Sequence, residues 1–326
     1  MVKQNMYWSV YKNLEKEVLK LADFLHFSDD QLNVYSIHIA DLIIRCSIEI
    51  ESISKDLYSM LGGNMSPLDD EGQVRDIYFD TDCLSLLNEK WILSKKQIFI
   101  SSINFYFEEE KNKILMPLHK SHKRGTRGSQ WKQAYQAVKH DRKNSLKKAT
   151  IGNLLNALGA LYVLNIYYRD ESINIGKASL MNSFDATLGS DVFSVLVANA
   201  HNISISDTIS DKNIDSKVQN ILENAIYIKR YTEDSLKKLH KEIVVWNRKT
   251  IDNLLKSPKI TEFLRNNPNY KITSTSQLAF DVGGEALLKE IIPATNIGYS
   301  FANSCFEAVL NKGESIYPTL TEAIVE

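Results

Sequence analysis

The stretch ATIGNLLNALGALYVLNIYY, residues 149–168, decides how the chain has to fold. At helical spacing it is apolar on almost every side. A helix without a polar face cannot lie on a surface and has to be surrounded. Residues 146–168 are therefore read as the central helix of a bundle, and the neighbouring sequence has to supply its walls.

Those walls are found upstream. Val10, Leu14, Val18, Leu21 and Leu25 recur every three or four residues and predict a helix over 7–27. Ser28, Asp29 and Asp30 then give a polar break. A longer helix is expected from about 33 to 61, with Ile37, Leu42, Ile44, Ile48, Ile53 and Leu57 as its apolar set and Gly62–Gly63 as its stop. A loop over 64–80 and a short helix over 82–94 follow. In IFISSINFYFEEEKNKILMPLHK, Ile103, Phe105 and Phe107 alternate with Asn104 and Tyr106, which predicts a β-hairpin over about 98–118. Pro117 marks the edge or end of its second strand. Residues 119–130 read as a polar, mobile loop, and 131–139 as a helix with Trp131, Tyr135 and Val138 inward.

Residues 171–326 are less regular. DVFSVLVA (191–198) suits a strand. The span 214–256 reads as a long helix, with Val218, Ile221, Ala225, Ile228, Leu239, Ile243 and Leu254 on one side and a break near 232–235. Such a run suits a partner surface. Gly283–Gly284 and Pro293 suggest short, tightly packed helices. The expected fold class is mainly α: a helical bundle over 1–170 with a small hairpin, joined to a mostly helical region over 171–326.

Composition limits the function classes. With 44% apolar and 24% charged residues in 326, the chain matches globular proteins. The start lacks the apolar segment of a secretory signal, and no run of about 18 apolar residues occurs, so no membrane association is expected. Cys46, Cys83 and Cys305 show no metal or disulfide spacing and read as reduced cytoplasmic thiols. No HExxH, GxxxxGK[ST], GxGxxG or GxSxG is present, so no metal or cofactor is expected. Asp69, Asp70, Glu71, Asp76, Asp80 and Asp82 lack calcium-loop spacing and read as a solvated loop.

Charge is distributed unevenly. Between His119 and Lys148 stand ten Lys and Arg and one acid, Asp141; the window is +9 in a chain of net −1. Such a concentration points to a polyanion, because each cation set on a phosphate releases condensed counterions. Lys120, Lys123, Arg124, Arg127, Lys132, Lys139, Lys143 and Lys147 are the candidate contacts. Within the window, WKQAYQAVKHDR places His140, Asp141 and Arg142 at a helix junction. Imidazole exchanges protons near neutrality, and guanidinium offers a fork to a phosphate. Metal-independent cleavage of RNA would need those two groups, with His140 as acid/base, Arg142 as phosphate binder, and Asp141 or Glu49 orienting them. The structural alternative is that His140 and Arg142 serve helix ends or pair with acids of the second helix, where Arg45 and Glu49 share a face with Ser52 and Asp56. His119 and His122 are possible helpers in phosphate contact. Trp131 and Tyr135 are possible base-stacking groups, although core positions are commoner at that spacing.

YKNLEKEVLKLADFL, YSIHIADLIIRCSIEIESISKDLY and WKQAYQAVKHDR, each as it stands here, together resemble HEPN-like helical bundle proteins of bacteria, over roughly residues 5–170. The resemblance implies a homodimer and either a toxin or antiviral-defence ribonuclease or a non-catalytic binding module. The usual catalytic pattern in that superfamily is Arg, four to six residues, then His. Here His140 precedes Arg142, separated only by Asp141.

Overall fold

The computed structural model describes residues 5–177, 184–199, 221–294 and 297–313. The described chain is mainly α-helical and forms two compact units. The first comprises 5–173, 184–199, 221–229 and 308–313; the second comprises 174–177, 230–294 and 297–307.

In the first unit α1 (Met6–Ala22) is capped by Asn5, whose side chain accepts from Trp8 N at 3.1 Å. Helix α2 (Ile37–Met60) is capped in the same way by Ser36. A π-helical turn (Phe79–Leu84) leads into α3 (Ser85–Trp91). Strand β1 (Ile98–Ile100), the single turn α4 (Glu110–Lys113) and strand β2 (Ile114–Leu115) come next. They are followed by α5 (Gln130–His140), the short α6 (Arg142–Ser145) and α7 (Ile151–Arg169).

Every residue of α7 from Ala157 to Tyr167 is buried, as its apolar circumference requires. Helices α1, α2 and α5 pack around it. The inner face of α2 is Ile39, Leu42, Ile43, Cys46, Ile50, Ile53 and Leu57. Ile37 and Ile48, expected among its core positions, are exposed. The buried stripe is offset by one or two residues and takes in Cys46 and Ile50.

A three-stranded antiparallel sheet, order β2-β1-β4, covers another side of α7; β4 is Phe193–Val195. Ile98 faces Leu115 on one side and Val195 on the other. Gly159 allows this approach, since a Cβ there would stand 2.8 Å from Ile98 Cδ1. The expected hairpin exists as this short β1–β2 pair, but its alternating residues are not in the ladder. Phe105 and Phe107 turn inward, Phe105 stacks on Phe27 at 4.7 Å, and Ile103 is exposed. The Asp29 carboxylate fixes that connection by accepting from Glu108 N, Glu109 N and Asn112 Nδ2.

A fully buried carboxylate closes the unit. Glu15 on α1 accepts from Tyr11 Oη at 2.7 Å, from Ser190 Oγ, and from the backbone N–H groups of Asp191 and Val192 at 3.0 and 3.3 Å. Lys12 balances its charge. The segment preceding β4 is thus fastened to α1.

Strands β3 (Ile173–Lys177), β5 (Val197–Asn199), β6 (Tyr227–Tyr231) and β7 (Cys305–Leu310) form a second sheet, order β3-β7-β6-β5, with β5 parallel to β6. The division between units falls within β3, β6 and β7. The second unit holds α8 (Glu233–Lys256), α9 (Pro258–Asn266), α10 (Thr275–Ile291) and α11 (Ile297–Asn303). Ile260, Leu278, Ala279, Leu287 and Ile291 form its core. Helix α10 kinks at Gly284, whose φ of 62° suits glycine.

Two expectations change here. The long helix over 214–256 is interrupted by β6, because the aromatic and β-branched YIKRY pairs with Val197–Asn199, and Thr232 then caps α8. The part of that helix before residue 221, Val218 included, lies outside the described residues. The helical C-terminal region contains β7, a strand buried at alternate positions. Among the described residues no helix is long and apolar enough to cross a membrane.

Replacing Gly159 with Val should cost about 1–3 kcal/mol, because a branched side chain drives into Ile98 and Phe193. Urea unfolding of the full chain reads this directly, and unchanged stability would show that β1 does not rest on α7.

Candidate nucleic-acid interface

Helix α5 carries the basic window, and its position is set from inside. Trp131, Ala134, Tyr135 and Val138 are buried, and Trp131 Nε1 donates to Pro117 O at 2.8 Å. Trp131 and Tyr135 are 1% and 2% exposed, so neither is available to stack on a base.

Lys132 is buried with them, although its residue type groups it with the surface cations. Its Nζ donates to Asp80 Oδ2 at 3.1 Å, to Ser121 O at 2.8 Å and to Lys123 O. Three oxygens around one ammonium satisfy all its donors and hold the 119–130 connection in place. Arg124 Nε reaches the same carboxylate at 3.1 Å, and its guanidinium lies 3.9 Å from the Tyr78 ring centroid. Burial works against charge at both partners. It draws the Lys132 ammonium below its ordinary value despite Asp80. At Asp80 burial pushes the other way, but Lys132, the Thr81 N–H and Arg124 outweigh it and hold the carboxyl below its usual 3.8. The Asp80 direction governs at neutral pH, because the oxygens gathered around Lys132 keep the ammonium charged.

With Lys132 and Arg124 engaged, the other cations stand at the two ends of α5. Lys120, Lys123 and Arg127 are exposed before it; Lys139, Lys143, Lys147 and Lys148 are exposed at or beyond its end. Helix α5, eleven residues and about 16 Å long, joins the two groups. Lys139 Nζ donates to Tyr135 Oη at 3.2 Å. Among the described residues, none of these seven has a carboxylate within ion-pair distance.

His140, Asp141 and Arg142 form the junction at the second group. Helix α5 ends at His140, and Asp141, at φ −145° and ψ 74°, breaks it. The Asp141 carboxylate caps α6, accepting from Asn144 N at 3.3 Å and from Asn144 Nδ2 at 2.9 Å. Arg142 pairs with Asp41 of α2 at 2.8 Å, both half exposed. Glu49, the expected partner, sits about two turns further along α2, half-buried, with its carboxyl raised by burial. Arg45 pairs with Glu17 at 2.6 Å. His140 is exposed, and no described side chain hydrogen-bonds its ring. Neither Asp141 nor Glu49 therefore orients His140 or Arg142. His122 lies half-buried in the connection, its imidazole lowered by burial and by neighbouring cations.

Sequence reasoning missed Asp80, Tyr78 and Arg75. The acidic segment read as a solvated loop is structured by its acids: Asp69 accepts from Glu71 N and Gln73 N, Asp82 forms a two-pronged pair with Arg75 at 2.7 and 2.9 Å, and Asp80 anchors the basic connection. No local signal ties Asp80 to Lys132, fifty-two residues away. Among the described residues no group of three or more His, Cys, Asp or Glu is placed to hold a metal ion.

Replacing Lys132 with Met should cost about 1–3 kcal/mol, since it leaves Asp80 to Arg124 and the Thr81 N–H and deprives two carbonyls of their donor. In the wild type the Asp80 contribution is present above the ordinary carboxylate value of 3.8 and lost as pH falls through its lowered one. Urea titrations at pH 7 and pH 3 should therefore show the wild-type advantage shrinking at the lower pH; an undiminished gap would place the stabilisation elsewhere.

No family model, curated protein or solved structure matches the chain.

Proposed function

We propose that this protein binds RNA through the exposed cations at the two ends of α5, as a cytoplasmic binding module rather than a nuclease. One observation carries the reading: seven cations of the 119–148 window stay exposed with no carboxylate partner among the described residues, while Arg124, Lys132 and Arg142 are paired with Asp80 and Asp41. Exposed cations at both ends of a helix about 16 Å long suit a phosphate backbone crossing the outside of α5. The resemblance of the sequence over residues 5–170 to HEPN-like proteins is in keeping with RNA as the polyanion.

The same geometry argues against an assembled cleavage centre. An acid/base histidine works best when a second group fixes its ring and a phosphate-binding arginine keeps its fork free. Here the His140 ring is held by no described group, Asp141 serves α6, and Arg142 is bound to Asp41.

If about four phosphates are neutralised, log K against log[salt] should slope near −3 on single-stranded RNA. Exchanging Lys143 and Lys147 for Glu should weaken binding at least tenfold and flatten that slope, read by fluorescence anisotropy. Salt-independent binding, or none, sinks the proposal. RNA incubated in EDTA with wild type or His140→Ala should remain intact in both; cleavage lost only in the variant would restore the nuclease reading.

A further inference from the structure

A cavity of about 1130 Å³ opens in the first unit between α2 and α5. Lys55 of α2, Gln136 of α5 and the segment before the π-helical turn line it. The basic surface described above does not account for its chemistry. Its rim is apolar and exposed: Met65, Val74 and Tyr78 are 54%, 69% and 41% accessible. Inside that rim sit cations with spare donors. Arg124 spends only Nε on Asp80, and its two terminal nitrogens have no partner among the described residues. Lys55 is exposed and unpaired among them.

The Tyr78–Arg124 couple is built rather than incidental. Tyr78 N donates to Asp82 at 2.8 Å, and Tyr78 O accepts from Asp82 N and Cys83 N within the π-helical turn. Arg75, bound to Asp82 by both terminal nitrogens, stands 4.7 Å from the same ring. The Tyr78 backbone is therefore held, its ring has Arg75 and Arg124 against it, and Arg124, 48% exposed, is tied to Asp80. So held, Arg124 offers a half-exposed guanidinium plane and free N–H groups at its edge. Nucleobases stack on such planes, and phosphates or base edges accept from the N–H groups.

We propose that this cavity is the base-binding site for single-stranded RNA, a base lying on Arg124 to complete a stack with Tyr78, with Lys55 taking an adjoining phosphate. The proposal rests on the RNA-binding reading and narrows it to the unpaired form. In a duplex the bases are stacked on one another and cannot enter the cavity.

The test compares a fluorescein-labelled 12-nucleotide oligouridine with a 12-base-pair RNA duplex, both bound to the full chain at one salt concentration. A second oligonucleotide carries a single 2-aminopurine. The wild type should prefer the single strand about tenfold and quench the 2-aminopurine on binding. Tyr78→Ala and Arg124→Lys should abolish preference and quenching while leaving duplex affinity unchanged. Tyr78→Phe, which keeps the ring, should retain both and guards against misfolding of the alanine variant. Equal or tighter duplex binding by the wild type, or preference and quenching kept in Arg124→Lys, overturns the base site but leaves the RNA-binding reading standing. No salt-dependent binding of either form overturns both.

Discussion

Helix α7 has no face to give to water, and the first unit is arranged around that constraint. From Ala157 to Tyr167 every position is enclosed. Three helices and a small sheet provide the enclosure, each contributing an apolar stripe. The hydrophobic effect sets this arrangement because it rewards burial without regard to direction. Gly159 and Ile98 then fix how closely the sheet approaches. Helix α5 is one of the walls. Its buried stripe faces inward, so its polar residues and flanking cations are presented outward.

A second, electrostatic constraint works at the rim of that wall. Asp80 gathers Lys132 and Arg124, two cations that would otherwise add to the local repulsion. An ion pair this enclosed contributes less to net stability than its Coulomb attraction suggests, because both charges lose water. It does fix geometry: Lys132 ties down two backbone carbonyls, and Arg124 is set against Tyr78. The same carboxylate thus orders the connection and positions a cation at the cavity.

Much of the bundle was legible in the sequence because it rests on local period. The helices around Leu14, Leu42 and Leu158 follow from apolar spacing, whereas their starts at the caps Ser36 and Thr150 lie a few residues beyond those expected. What escaped depends on distant partners. The alternation of Phe105 and Phe107 reads as a strand, but Phe27 decides where they go. Strand β6 reads as helix until Val197–Asn199 is beside it. At the candidate site, the charge concentration was plain, whereas the sorting of those charges was not. Lys132 and Lys143 look alike in sequence; one is sealed against Asp80 and the other is exposed.

The buried Glu15 carboxylate sets a rule about which stretches of this chain can exist separately. Its donors come from Tyr11 and Lys12 on its own helix and from Ser190, Asp191 and Val192. A fragment ending with α7 would contain all the bundle helices, yet would leave that acid with only part of its hydrogen-bonding complement and α7 without β4. Contiguity along the polypeptide is therefore a poor guide to autonomy here: the minimal heritable unit of the bundle includes a segment encoded well downstream of its last helix.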